Sequence, residues 1–189
     1  MNLLLGLANV NKGALLINGI SLIDINLGSF RNLFSTVNQS PLFFDDSIFN
    51  NLIFGFSGGD LSRLDLDEIR ARLKSVIEAA DANFIYDLPG DFNYQVGEGG
   101  NNLSQGQRQR LAIARALIRN ASVYVFDEAL ANIEISSARK IFKSLKETAQ
   151  NAIVVVISHQ KEILDECDHI LTLKKGTSFM LSRESLVTS

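Results

Sequence analysis

The chain has 189 residues, of which 46% are hydrophobic and 21% are charged, and its formal net charge is −3. This length and composition are ordinary for one globular domain with a buried core. The small excess of acidic residues argues against a nucleic-acid binder that depends on bulk positive charge. No apolar run approaches the length of a membrane span, and the single cysteine, Cys167, excludes an internal disulfide.

The first forty residues predict short elements separated by turns. Residues 1–8 have the pattern of the end of an amphipathic helix that closes near Gly6. Residues 13–22 predict a strand and a turn, with Asn18-Gly19 as the turn signal. Residues 34–37 predict a second short strand, and the polar loop that follows it contains a proline, which ends the strand.

The middle of the chain predicts helix followed by a glycine-rich loop. Residues 62–86 form an amphipathic helical stretch, and its charged residues are expected to face solvent. The apolar side of this stretch is formed by Leu64, Ile69, Leu73 and Ile77. Residues 87–90 predict a turn, and the sequence VGEGG at 96–100 predicts a flexible connector.

A helix is predicted to begin at Ser104, because Ser104 and Gln107 form an S-x-x-Q capping box. Apolar residues then recur at helical spacing as far as Ile118, so one face is expected to be buried. Gly106 lies in the first turn, where it costs about 1 kcal/mol of helix stability relative to alanine. This cost suggests that something approaches the backbone there, and a helix N-terminus of this kind can bind an anion.

The next element is a buried strand over 123–126 that ends in Asp127 and Glu128. Open α/β sheets place their ligands at the carboxyl ends of such strands. Alternation along the strand points the two carboxylates in different directions, so they can have different roles. One can hold a hydrated Mg²⁺, and the other can position or deprotonate a water molecule.

The C-terminal part predicts a helix, a strand and a hairpin. Residues 135–149 predict a helix, and residues 152–158 form a nearly continuous β-branched run. That run is typical of a strand buried on both faces, and it leads directly to His159. The sequence from 169 onward predicts an edge strand, a turn at 174–176 and a returning strand.

The run LSQGQRQRLAIARAL, followed by VYVFDEA, resembles the signature motif and Walker B strand of ATP-binding cassette (ABC) transporter nucleotide-binding domains. The resemblance implies an α/β fold of the P-loop NTPase type, with a mainly parallel sheet flanked by helices and an inserted helical subdomain. It also implies a motor in which two such domains close head to tail around ATP. The whole chain, 1–189, is then a partial ABC domain, with the helical subdomain at about 45–118 and the core at 1–44 and 119–189.

The resemblance assigns roles to individual residues. It implies that Gln39 is the Q-loop glutamine, which contacts Mg²⁺ and the attacking water, and that Asp127 binds Mg²⁺. Glu128 is then the general base or water-positioning group, and His159 is the switch histidine at the γ-phosphate. The residues implied to contact ATP held by the partner domain are Ser104, Gln105, Gly106 and Gln107.

The sequence departs from the family pattern in two places. The family's phosphate loop, GxxGxGK followed by Ser or Thr, does not occur in it, since none of the 13 glycines precedes a lysine. After Glu128 the family usually reads ATSALD, whereas this sequence reads ALANIE at 129–134. We therefore expect this chain alone to bind ATP poorly and hydrolyse it negligibly, and we expect exposed sheet edges and weak stability.

The resemblance also implies partners and a location. The VGEGG loop is similar to one that exporters carry, whose acidic residue, here Glu98, faces the intracellular loops of the membrane domains. The Q-loop region also connects to those domains. The expected partners are a second ABC domain and transmembrane domains, with no nucleic acid. The expected location is the cytoplasmic face of the cell membrane, with attachment through segments not present in this chain.

Two other functional classes remain open. The first is a degenerate module that does not hydrolyse ATP and only offers its signature face to a partner. The missing phosphate loop favours it, and the intact Gln39, Glu128 and His159 oppose it. The second is a soluble ABC ATPase that acts on DNA or ribosomes, which the exporter-like VGEGG loop and the acidic net charge oppose.

Overall fold

A computed structural model describes residues 1–56, 64–174 and 177–182 of the chain. Within these residues the fold is α/β, with three parallel strands, two antiparallel hairpins and helices packed around them. The strands are β1 (Leu16–Ile17), β2 (Ile20–Ser21), β3 (Phe34–Val37), β4 (Val123–Asp127), β5 (Ile153–Ile157), β6 (His169–Lys174) and β7 (Thr177–Ser182). The α-helices are α1 (Leu27–Asn32), α2 (Ile48–Ile53), α3 (Leu66–Ala79), α4 (Gln105–Ile118), α5 (Ile135–Thr148) and α6 (Lys161–Leu164).

The predicted elements agree closely with the observed ones. Strand β3 and helix α5 lie where the sequence predicts them, and the backbone of Asn18-Gly19 has positive φ at both residues, as a type I′ hairpin turn requires. Of the helical stretch predicted over 62–86, α3 covers Leu66–Ala79 and a separate 3₁₀ turn covers Asn83–Asp87. Residues 62–63 and most of the predicted turn at 174–176 lie outside the described residues.

The helix predicted to end near Gly6 is observed as a run of turns over residues 1–8, and only its closing motif is present. The backbone N–H of Leu7 donates to the carbonyl of Asn2 (2.8 Å), and that of Gly6 donates to the carbonyl of Leu3 (3.1 Å). Gly6 has φ +62, so these two bonds form a Schellman closure around a left-handed residue.

The three parallel strands bring their carboxyl ends to one edge of the sheet. In the order β3-β4-β5, Val37 pairs with Phe126 and Asp127 pairs with Ile157. The loops that follow the strands therefore leave the sheet side by side. This register positions the candidate site described below.

The prediction that residues 152–158 form a strand buried on both faces is wrong. Ile153 is 64% exposed and Ile157 is 37% exposed. The reason is that, within the described residues, β5 pairs only with β4 and forms the edge of the sheet. β-branched residues favour strand geometry wherever the strand lies, so the run indicates a strand but not its burial. The exposed edge itself agrees with the expectation from the sequence.

One hydrophobic core joins the helical stretch to the sheet. It contains Ile77 of α3, Leu111 of α4, Phe126 of β4 and Leu145 of α5, each almost completely buried. Full burial of such a side chain contributes about 1.5–3 kcal/mol. Helices α3 and α4 are therefore held on the same core as the parallel strands.

Asp81, at the end of α3, ties that helix to α4 and α5 through polar contacts. Its carboxylate accepts hydrogen bonds from Ser137 Oγ (2.6 Å) and Lys140 Nζ (2.5 Å), and it lies 3.6 Å from Arg110 Nη1. Burial acts to raise the pKa of Asp81, but the hydrogen bonds and positive charges of Lys140, Ser137 and Arg110 outweigh it, so the pKa is lowered.

We expect Asp81→Asn to destabilise the chain by about 1–3 kcal/mol at pH 7, because charge-assisted hydrogen bonds are lost. A carboxyl with a lowered folded-state pKa stabilises the fold above its unfolded pKa, about 3.9, and loses that contribution as the pH falls through the folded value. The gap between wild type and Asp81→Asn should therefore narrow between pH 7 and pH 3 in urea unfolding. An equal gap at both pH values would contradict this account of Asp81.

Glu134 occupies the N-cap position of α5 without capping it. Among the described residues, its Oε1 accepts from Ser136 Oγ (2.8 Å) rather than from a backbone N–H of the first turn. A shorter aspartate is among the best N-cap residues because its carboxylate reaches those N–H groups. We expect Glu134→Asp to raise the free energy of unfolding by about 0.5–1 kcal/mol.

Thermal and urea unfolding of Glu134→Asp measure this gain. The control is Glu134→Ala, which should stay within about 0.5 kcal/mol of wild type because the side chain is exposed. If the aspartate variant is no more stable than the alanine variant, the first turn of α5 does not need a cap.

Candidate functional site

Three predicted residues meet at the carboxyl edge of the parallel strands. Gln39 follows β3, Glu128 follows β4 and His159 follows β5. Gln39 Nε2 donates to Glu128 Oε2 (2.8 Å), and His159 Nε2 lies 3.1 Å from Glu128 Oε1. Each carboxylate oxygen of Glu128 therefore has one partner, and the three residues form one polar cluster.

The backbone of Glu128 is held in an uncommon conformation. Its φ is +50, in the left-handed region, which costs a residue other than glycine about 1–2 kcal/mol. The Glu128 N–H donates to the carbonyl of Ile157 (2.9 Å), so pairing with β5 continues one residue beyond Asp127. Its carbonyl accepts from the N–H of Ala131 (3.1 Å). These bonds fix the turn that directs Glu128 toward Gln39 and His159.

Asp127 is the last residue of β4 and is half-buried. Among the residues that the structure describes, no hydrogen-bond donor or cation contacts its carboxylate, so its oxygens are available to a ligand. The described residues also contain no group of three or more His, Cys, Asp or Glu that could hold a metal ion. Mg²⁺ commonly uses one or two protein ligands with phosphate oxygens and water, and Asp127 with Gln39 fits that pattern.

The predicted signature residues form the start of α4, apart from the Glu128 cluster. Ser104 Oγ accepts from the N–H of Gln107 (3.2 Å), and the N–H of Ser104 donates to Gln107 Oε1 (2.8 Å). This confirms the capping box. Gln105 is exposed beside them. Among the described residues, none of these three side chains forms a hydrogen bond with the cluster.

Gly106 is close to the loop that follows β4. A Cβ at this position would lie 3.2 Å from the carbonyl oxygen of Asn132, tighter than ordinary contact. The close approach that the sequence predicts at Gly106 therefore includes a backbone segment of the same chain.

A groove that the sequence did not predict lies between β3, residues 42–44, Phe54 and α4, and its lining mixes apolar and charged side chains. Its exposed apolar side chains are Leu42 (82%), Phe44 and Phe54 (66%), and its volume is about 390 Å³. Phe44 and Phe54 pack edge to face with ring centroids 4.7 Å apart. Arg115 of α4 closes one wall and donates from Nη2 to the carbonyl of Leu42 (2.8 Å). The sequence signal was the run Leu42-Phe43-Phe44 directly after the predicted loop.

The Glu98 loop lies next to this groove. Glu98 is exposed in a 3₁₀ turn, Glu98–Gly100, and Gly97 before it and Gly99 and Gly100 within it have positive φ. A Cβ at Gly100 would lie 3.0 Å from the ring of Phe43. Phe43 is buried and stands between the groove residues Leu42 and Phe44 in the chain, so the Glu98 loop packs against the segment that forms the groove.

Comparison with known proteins identifies the family. The family model described as "ABC transporter" matches residues 1–131. The ATP-dependent lipid A-core flippase of Methylobacillus flagellatus is 36% identical over 177 residues, which is 93% of this chain and 29% of the flippase. The flippase of Haemophilus influenzae is 35% identical over 175 residues, again 93% of this chain and 29% of the relative. The ABC multidrug transporter MDR5 of Trichophyton rubrum is 30% identical over 166 residues, 87% of this chain and 13% of that protein.

A solved structure of a bacterial Atm1-family ABC exporter with ATP bound matches the fold with a TM-score of 0.87. It is 28% identical and covers 99% of this chain and 32% of the exporter chain. The chain therefore belongs to the ABC transporter family and has the fold of an exporter's nucleotide-binding domain. It spans about 29% of the flippases it matches. No helix among the described residues is both long and apolar enough to cross a membrane.

Proposed function

We propose that the chain is part of the ATP-binding domain of an ABC exporter and couples ATP binding and hydrolysis to export across a membrane. The observation that carries the proposal is the cluster of Gln39, Glu128 and His159 at the carboxyl edge of the parallel strands. Membership in the ABC transporter family and the similarity to an exporter structure support it.

In the proposed mechanism Glu128 is the general base or water-positioning group. Gln39 and His159 contact its two oxygens and orient the carboxylate, and in this proposal both also contact the γ-phosphate. Asp127 and Gln39 would hold Mg²⁺, which neutralises phosphate charge when bound. The fixed backbone turn at Glu128 keeps the carboxylate in place without reorganisation during the reaction.

The phosphates need a further element in this scheme. The 189 residues contain no GxxGxGK motif, so the cradle for the β- and γ-phosphates would be supplied by polypeptide outside them. The start of α4 would instead serve the partner domain. Ser104, Gln105, Gly106 and Gln107 would contact ATP held on that partner, at the N-terminus of a 14-residue helix where anions bind favourably.

We assign the groove between β3, residues 42–44, Phe54 and α4, together with the Glu98 loop, to the membrane domains. The groove has three exposed apolar side chains, and Glu98 is an exposed charge on a loop that packs against Phe43. Exposed apolar clusters of this kind are typical of interaction sites. Gln39 lies three residues before Leu42 in the chain, so one short segment connects the Glu128 cluster to the groove.

A complementation assay tests the signature face. The isolated ATP-binding domain of a lipid A-core flippase is given substitutions in its own signature serine and glycine, and phosphate release is measured with and without this chain. We expect the chain to restore hydrolysis. Its Ser104→Arg variant should fail, while Thr148→Arg, an exposed hydroxyl residue at the end of α5, should work. No stimulation by the wild-type chain would refute the signature assignment.

A second candidate is a module whose signature residues, 104–107, contact ATP bound to a partner domain but which does not itself hydrolyse ATP. Glu134 in place of the family's aspartate favours it, since this loop lies against Gly106. The distinguishing reagent is a fusion, in which this chain is joined to the upstream ATP-binding segment of a lipid A-core flippase. If complementation succeeds but the fusion has no turnover, the second candidate is correct.

A further inference from the structure

Gln109 is a fully buried polar residue on α4 that no catalytic role explains. Its relative exposure is 0%, and both ends of its amide are used. Nε2 donates to the backbone carbonyl of Gln39 (3.2 Å), and Oε1 accepts from the backbone N–H of Asn132 (3.3 Å). An amide in an apolar core is costly unless both ends are bonded. Its two bonds join segments that are 93 residues apart in the chain, from 39 to 132.

Gly106 makes a second contact with the same loop. It lies three residues before Gln109, on the same face of α4, and a Cβ at this position would lie 3.2 Å from the carbonyl oxygen of Asn132. Both backbone polar groups of Asn132 therefore lie against α4. Its carbonyl oxygen is close to Gly106, and its N–H donates to Gln109. This fixes the loop 129–134 to the first turns of α4.

The hydrogen bonds close a ring around the Glu128 cluster. Glu128 bonds to the Gln39 side chain (2.8 Å), the Gln39 carbonyl bonds to Gln109, and Gln109 bonds to Asn132. The backbone from 128 to 132 completes the ring. The Gln39 side chain bonds to Glu128 and its backbone carbonyl bonds to Gln109, so a displacement of the Gln39 backbone strains or breaks the bond at Gln109, which also holds Asn132.

We propose that Gln109 is a positioning residue that couples the Gln39 loop to the loop 129–134 and the start of α4. A change at Gln39, such as contact with a phosphate or a metal ion, is transmitted through the Gln109 amide to Asn132 and to the signature face. The functional meaning of this coupling rests on the proposed function, but the coupling itself is a property of this chain alone.

Hydrogen exchange of the isolated chain, without nucleotide, tests the coupling. Gln39 is exposed, so Gln39→Ala leaves the core intact. The substitution removes the side-chain bond to Glu128 and keeps the carbonyl that Gln109 holds. We expect it to speed exchange in the peptide containing Asn132 by roughly three- to tenfold, the effect of losing one hydrogen bond of the ring. Unchanged exchange at Asn132 in Gln39→Ala would overturn the proposal, and this arm needs no variant at position 109.

A double-mutant cycle separates coupling from simple stabilisation. Gln109→Met keeps the side-chain length and removes both amide bonds, and Gln109→Glu keeps an acceptor for Asn132 but loses the donor to Gln39. In both backgrounds we expect Gln39→Ala to have no further effect at Asn132. If Gln39→Ala speeds exchange there equally with and without Gln109, the residue only stabilises the fold and the proposal fails.

The outcome is independent of the exporter assignment. If Gln39→Ala speeds exchange at Asn132 through Gln109 but the complementation assay shows no hydrolysis, the coupling is supported and the proposed function is wrong. If the chain restores hydrolysis but Gln39→Ala does not change exchange at Asn132, the proposed function is supported and Gln109 does not couple the two loops.

Discussion

Glu128→Gln in the fusion should lower ATP turnover by about 10²–10⁴-fold, the usual contribution of a positioned general base. The amide has nearly the same shape and can still accept a hydrogen bond from Gln39, so the cluster should keep its geometry. ATP affinity should therefore remain close to that of the unsubstituted fusion. Steady-state phosphate release gives the turnover, and calorimetry gives the affinity.

The matched control for this substitution is Glu147→Gln, at an exposed position on α5 away from the cluster. It removes the same charge and should leave turnover unchanged. If Glu128→Gln retains turnover within about a factor of two of the control, Glu128 is not the base.

Leu42→Ala should weaken docking to membrane domains by about 10- to 30-fold, because most of the apolar area that Leu42 would bury in the proposed interface is lost. Leu42 is 82% exposed, so its removal leaves the core and the fold intact. Binding of this chain is measured against the membrane domains of a lipid A-core flippase, purified without their own ATP-binding domains.

Ile23→Ala is the control for the groove. Ile23 is a similar aliphatic side chain, 91% exposed and outside the groove. It should leave the binding constant unchanged. Equal losses for Leu42→Ala and Ile23→Ala would indicate non-specific adhesion rather than docking in the groove.

The parts that sequence predicted well depend on local patterns. Neighbouring residues alone indicate the capping box of Ser104 and Gln107 and the strand that ends in Asp127. The structure contains both. The proximity of Gln39 and Glu128 could also be predicted, because parallel strands bring their carboxyl ends to one edge of the sheet. The roles of these residues in catalysis stay predictions until they are tested.

The parts that sequence did not predict depend on contacts between distant segments. The exposure of Ile153 follows from the neighbours of β5, not from its composition. The links made by Asp81 and Gln109 join helices and loops that are 23 to 70 residues apart, and no local pattern marks either residue. The left-handed backbone of Glu128 likewise follows from its bond to Ile157.

Mg²⁺-ATP binding should be measured by calorimetry on the 189-residue chain and on the fusion side by side. We expect the fusion to bind ATP and the chain alone to show no saturable binding, because the proposed roles of Gln39, Asp127 and His159 add to a phosphate site without supplying its cradle. Tight binding of ATP by the 189-residue chain alone would contradict the proposed location of the phosphates and the roles assigned around Glu128.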